Sequence, residues 1–215
     1  MLRSKFSAIL LALFLAGVPL AVHAQVAVEN LVLNPSFEDG NDIIDDQWIE
    51  NGWVTWGEGD GLASIVEFDE TEFVDGERSA RVEPTGTIDW HFMIIYYPVV
   101  LDMGESYTTS FWAKAEKDRT ISAHMKDVDN AGSFGLTTFT ITTEWSEYSF
   151  TTSAEWPSIK LEIFVSGSDI KLWFDFVNIY EGEYVEGILP SELSGPGAVE
   201  PANKLPVQWA EIKTR

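Results

Sequence analysis

The sequence contains no cysteine, which excludes disulfide staples, thiol nucleophiles and thiolate zinc sites. A chain without covalent crosslinks must be held by its core, by a metal ion, or by both. Histidine is scarce as well. Only three are present, at positions 23, 91 and 124, which leaves little room for an imidazole metal site or a catalytic triad. Positive charge is short: 13 Lys+Arg stand against 35 Asp+Glu, for a formal net charge of −22. Such a surface repels nucleic acid and anionic lipid head groups. Long apolar runs are limited to one, Ser7 to Val22, which Gly17 and Pro19 interrupt and which is too short to span a membrane comfortably. The chain has no G-x-S-x-G, no H-E-x-x-H and no phosphate loop. Paired carboxylates facing across a cleft, as glycosidases need, stand in no recognisable motif. After the first 24 residues arginine occurs only at positions 78, 81, 119 and 215, which leaves little for a lyase. Catalysis is therefore not expected; an enzyme, if there were one, would be a hydrolase or lyase acting on polysaccharide.

What is present begins with an export signal. Arg3 and Lys5 form a cationic start, the apolar run follows, and Val22-His23-Ala24 offers small residues at −3 and −1 for a signal peptidase. Residues 1–24 read as a cleavable signal peptide, so a secreted or periplasmic location is expected. With Arg3 and Lys5 removed, the formal charge becomes 11 − 35 = −24.

Helical periodicity is hard to find beyond that point. Short runs of Thr, Val, Ile, Phe, Tyr and Trp recur, broken every dozen or so residues by Gly, Asp, Asn and Pro. Strands are predicted near 30–33, 49–56, 62–68, 79–84, 88–99, 106–115, 119–126, 134–142, 146–153, 159–166 and 171–180. In Ser106–Lys114 the alternation is clear, with Tyr107, Thr109, Phe111 and Ala113 on one face. The pattern predicts an all-β fold: a two-sheet antiparallel β-sandwich of jelly-roll type. Asp127-Val128-Asp129-Asn130 opens like a calcium loop, but Thr138 stands where that loop needs Glu and no helices flank it, so it reads as a turn. Residues 25–182 form the expected domain. Residues 183–215 read as a Gly-, Pro-, Ser- and Glu-rich linker and a C-terminal tail.

Several segments resemble a known family. Asn30–Glu38 (NLVLNPSFE), Gly76–Val82 (GERSARV), Gly104–Ala115 (GESYTTSFWAKA), Thr143–Tyr148 (TEWSEY) and Trp173–Ile179 (WFDFVNI) are similar, in order, to strands of carbohydrate-binding modules of families 4, 9, 16 and 22. The resemblance implies a galactose-binding-like jelly roll that binds sugar. It also implies a structural calcium ion held by Glu38, Asp175 and the carbonyls of the Asp75–Glu77 loop around Gly76. Calcium's preference for six to eight hard oxygens agrees with that set. The alternative is that Glu38 accepts backbone N–H bonds and Asp175 pairs with a cation.

Sugar recognition needs flat aromatic faces and hydrogen-bonding side chains in a preformed cleft. Of nine tryptophans, Trp112, Trp145 and Trp173 sit in scaffold motifs, and Trp209 lies in the tail. Trp112 is expected first in the core and is kept as a ligand candidate. Trp48, Trp53 and Trp56 flank Gly52 before a Gly-rich loop and are expected to rim a groove. Trp156 belongs to the same informative set. On the strand at 88–99, Trp90 is expected to share a face with Phe92, Ile94 and Tyr96, and His91 one with Met93 and Ile95. In similar modules the face of His91 and Met93 often carries a Gln that enters the cleft, and here that Gln is missing. His124 should join them from the polar row Ser122, His124 and Lys126. The ligand-binding candidates are thus Trp90, His91, Met93, Trp112, His124, Trp53 and Trp56.

The reading is a non-catalytic, monomeric carbohydrate-binding protein that holds a neutral polysaccharide or oligosaccharide, with no nucleic acid and no membrane span. The negative surface argues against uronic-acid polymers. The alternative is a structural or adhesive exoprotein whose concave face is filled or flat.

Overall fold

Alternating side chains build two sheets, and each sheet must bury one face. In this computed structural model residues 28–39, 52–188 and 193–194 are described. The expected signal peptide, Trp48, Trp209 and most of the expected linker and tail lie outside those residues. Among the described residues twelve strands follow in order: β1 (Val28–Glu29), β2 (Trp53–Gly57), β3 (Ile65–Asp69), β4 (Ser79–Glu83), β5 (Phe92–Val100), β6 (Ser106–Ala115), β7 (Arg119–Asp127), β8 (Ser133–Ile141), β9 (Ser146–Ser153), β10 (Ser158–Phe164), β11 (Leu172–Glu181) and β12 (Leu193–Ser194).

The first sheet has the order β2-β5-β10-β7-β8 and the second β3-β4-β11-β6-β9. All pairings inside these two sheets are antiparallel. The β-sandwich expected from the sequence is the fold observed. Non-local neighbours such as β5 and β10 define its topology, because apart from the hairpins β3–β4 and β7–β8 consecutive strands of these sheets cross from one sheet to the other. Residues 128–132 form the expected turn, with Asp127 accepting the N–H groups of Asp129 and Ala131 at 3.0 Å each.

The core lies between the sheets. Phe92, Ile94 and Tyr96 of β5, Ile159, Leu161 and Ile163 of β10, and Ile121, Ala123 and Met125 of β7 face Ala80, Val82, Phe111, Ala113 and Phe174 of the second sheet. Trp53 joins this core and is only 1% exposed, with Phe37 at 4.8 Å and Tyr96 at 5.0 Å between ring centroids. A smaller cluster of Val74, Trp112, Phe176, Tyr180 and Ile188 covers the outer side of the second sheet. Ordered packing therefore continues past residue 182, and Leu193–Ser194 pairs in parallel with β1.

The N-terminal segment is tied to β11. Leu31 donates its N–H to the Ile179 carbonyl, and Val177 donates to that of Pro35, both at 2.8 Å. Asn30 is fully buried. Its side chain donates to Asn178 at 3.0 Å and accepts from Val32 and Ile179 at 3.1 Å each.

Between Asp175 and Asn178 the ladder slips, and Phe176 takes a φ of 45°, unfavourable for a residue with a Cβ. The Asp175 carboxylate holds this bulge. One oxygen accepts the N–H groups of Val74 (2.6 Å) and Asp75 (2.9 Å), and the other that of Phe176 (2.7 Å). Asp175→Ala strands three backbone donors, so unfolding in urea should reveal a loss of about 3 kcal/mol or more. A loss below ~1 kcal/mol would mean that the bulge holds itself.

Candidate functional site

The open face of the first sheet carries the candidate site. Three cross-strand rows point away from the core there. The first runs Trp56–Met93–Phe164, the second Ile95–Glu162–His124, and the third sets Lys160 opposite Lys126. Together with Trp90 and Asn130 these residues line a groove of about 470 Å³. Alternation explains the placement, because Ile159, Leu161 and Ile163 point inward and so turn Lys160, Glu162 and Phe164 out.

One end is aromatic. The rings of Trp56 and Trp90 lie nearly parallel, 27° apart with centroids at 6.3 Å. Trp90 remains 39% exposed, which leaves ring surface for a partner. Beneath them Met93 and Ile95 are buried on this outer face, and Phe164 meets the His124 ring edge-on at 4.8 Å.

The centre is ionic. Glu162 is almost wholly buried, with one carboxylate oxygen 2.8 Å from His124 Nε2 and the other 3.1 Å from Lys160 Nζ and 3.8 Å from Lys126 Nζ. Burial pushes the Glu162 carboxyl up. The His124 hydrogen bond and the two ammonium groups outweigh that push and hold it below the ordinary value. Asn130 fixes Lys160 by accepting its Nζ at 2.9 Å.

Of the seven ligand candidates, Trp56, Trp90, Met93 and His124 converge in this groove. Trp53 lies in the core, and Trp112 packs beyond the second sheet. Trp156 is partly buried against the core. The expected facing of Trp90 is corrected. Asp89–His91 form a single 3-10 turn, and the strand starts only at Phe92, so Trp90 swings to the groove side rather than aligning with Phe92. The same turn gives His91 another task. Its Nδ1 bonds Asp60, and it reaches the groove only through an edge-on contact with Trp90 at 4.6 Å. His91 and Thr87 hold the Asp60 carboxyl down at about 2. Gly61 presses on this turn so closely that a Cβ there would stand 2.0 Å from the His91 carbonyl oxygen.

Missing from the sequence-derived set are Ile95, Lys126, Asn130, Lys160, Glu162 and Phe164. Alternation within 159–166 is the signal that could have found three of them. A larger hollow of about 620 Å³ lies by Arg119, but no aromatic ring lines it. Arg119 spends its terminal nitrogens there on the carbonyls of Val165, Ser166 and Ile170 at 2.6 to 3.0 Å.

The residues implied for calcium do meet. Glu38 accepts the N–H groups of Glu77 (2.8 Å) and Arg78 (3.1 Å), and Asp75 accepts the Ser36 hydroxyl at 2.7 Å. Gly76 has a φ of 68°, and a Cβ there would lie 2.2 Å from the Glu38 carboxylate. Burial raises Glu38, Asp75 and Asp175, the last well above its ordinary value, and the like charge of Asp75 adds to the rise at Asp175. In kind these hard oxygens suit calcium. As placed they turn to backbone N–H groups, and among the described residues no three such side chains are grouped to hold a metal.

Comparison with known proteins then places the chain. Residues 29–169 match the family described as carbohydrate binding domain, and the chain belongs to that family. Sugar binding is the role that this membership supports. The solved structures that share the fold include a CBM4 module, with 21% identity, a TM-score of 0.57, and coverage of 70% of this chain and 99% of that one. TmCBM61 in complex with beta-1,4-galactotriose has 19% identity, a TM-score of 0.53, and coverage of 72% and 99%. The CBM22-1 xylan-binding domain of Xyn10C from Paenibacillus barcinonensis has 15% identity, a TM-score of 0.50, and coverage of 70% and 93%. No curated protein matches the chain. Among the described residues no helix is long and apolar enough to cross a membrane.

The lowered Glu162 carboxyl gives stability that is present above the ordinary Glu value of 4.5 and lost as pH falls through the lower folded value. The wild type should therefore outlast Glu162→Gln in thermal unfolding at neutral pH. The gap should close as the pH drops from ~6 to ~3. A gap independent of pH would remove the ion pairs from the account.

Proposed function

We propose that this chain is a secreted, non-catalytic carbohydrate-binding protein that holds a neutral polysaccharide along the open face of the first sheet. The observation that carries the reading is the Trp56–Trp90 pair standing beside the buried Glu162–His124 pair in one groove. The parallel rings offer an apolar platform to the C–H face of a sugar ring. His124, Lys126, Lys160 and Glu162 supply donors and acceptors for hydroxyl groups at the ring edges. The indentation itself speaks against the adhesive alternative, which needs that face flat or filled. Monomeric behaviour is part of the proposal.

Retention on cellulose, xylan, β-glucan and mannan tests it. At least one should hold the wild type, and Trp90→Ala should weaken that binding about tenfold or more. Trp90 is partly exposed, so its thermal unfolding should stay close to the wild type. Failure on all four polymers sinks the reading.

Calcium is proposed as the ion that relieves the corner of Glu38, Asp75 and Asp175. What supports it is the burial and mutual repulsion of these carboxylates. When bound, the ion supplies positive charge and no chemistry. Calcium in excess over chelator should raise the unfolding temperature, and by more as pH rises, because the ion competes with protons for carboxyls whose values are raised. An unchanged midpoint means that the backbone N–H bonds suffice.

A further inference from the structure

The groove carries a charge opposite to that of the chain. Lys126 and Lys160 lie directly opposite each other on β7 and β10. Like charges at such a position disfavour the sheet. Glu162, two residues from Lys160, is the carboxylate that serves both, and it is also taken by His124. Even with a neutral imidazole, two ammonium groups share one carboxylate. The groove therefore holds an excess of one positive charge in a chain whose net charge is −22.

The two lysines are not equivalent. Lys160 lies 3.1 Å from Glu162 and donates to Asn130, and its side chain is 16% exposed. Lys126 stands 3.8 Å from Glu162 and is 29% exposed, so it is the less committed and more accessible cation. It lies at the opposite end of the groove from the tryptophans. From Phe164 to Lys160 along β10 is about 13 Å at the normal strand rise, enough to separate a stacked sugar ring from a charged group farther along the same ligand.

Resting on the sugar-binding reading above, we infer that the groove takes a largely neutral glycan bearing isolated anionic substituents, such as a carboxylate on a side group. The neutral ring stacks at Trp56 and Trp90, and the anion meets Lys126. A polyuronide is not the ligand, because its many charges face the whole acidic surface. A single carboxylate in the groove answers mainly to charges within about 8 Å at physiological salt.

Affinity electrophoresis separates the possibilities. The gels contain whichever of the four neutral polysaccharides retains the protein, in native, lightly carboxymethylated and heavily carboxymethylated forms. At low salt the light form should bind about fivefold tighter than the native one, and the advantage should shrink as salt is added. The heavy form should bind more weakly than the light one. In Lys126→Gln the ratio of light to native affinity should fall to about one, whereas Lys126→Arg keeps it. Trp90→Ala should weaken both ligands while leaving their ratio in place. Equal binding of native and light forms, or an advantage that survives Lys126→Gln, overturns this inference and leaves sugar binding standing. Failure of every neutral polymer removes the sugar reading and this inference with it.

Discussion

The attachment of residues 30–35 to β11 is the interaction on which the rest depends. No disulfide joins residues 30–35 to the last long strand, and buried polar side chains do that work instead. Asn30 reaches Asn178 across 148 positions of sequence, and Asp175 reaches the backbone of Val74 and Asp75 across about a hundred. These bonds lie where water cannot replace them, so breaking one leaves groups uncompensated. Strand β11 is central in the second sheet, flanked by β4 and β6. Once it is fixed, the inner faces have a surface to pack on. The first sheet can then afford apolar side chains on both sides of β5.

That two-sidedness explains both what was legible in the sequence and what was not. Period-two alternation located the strands from β3 to β11 to within a few residues, and the all-β sandwich followed. Strand order did not follow, because β10 enters between β5 and β7 by a crossover that no local pattern encodes. Without that order Glu162 and His124 belonged to unrelated segments, although each faces outward by its own alternation. Trp90 was misplaced for a different reason. A run of apolar and aromatic residues from 88 onward looks like one strand, but Ile88 to His91 closes a turn instead, with the His91 N–H donated to the Ile88 carbonyl at 3.1 Å. One tight turn changes the phase of everything before it.

Net charge was an equally partial guide. The total of −22 describes the chain as a whole, whereas the groove is governed by four side chains on two adjacent strands. Glu162 keeps its charge in a nearly dry setting because three basic groups gather round it. Asp175 is just as deeply buried, with Glu38 and Asp75 half-buried beside it, and burial raises all three. The same residue chemistry thus yields an electrically satisfied centre on one sheet and a strained corner near the other. Composition alone cannot distinguish the two.

The turn at Asp89–His91 also separates two parts of the groove by how they are built. Met93, Ile95, Glu162 and His124 stand on paired strands, and shifting one of them drags a ladder of hydrogen bonds with it. Trp90 stands on a turn secured from behind by Asp60 and the close approach of Gly61, outside the ladder. A substitution in the floor therefore disturbs the ladder, whereas one in the wall does not. Exchanging the ring at position 90 changes the shape of that wall while the sheet beneath keeps its register.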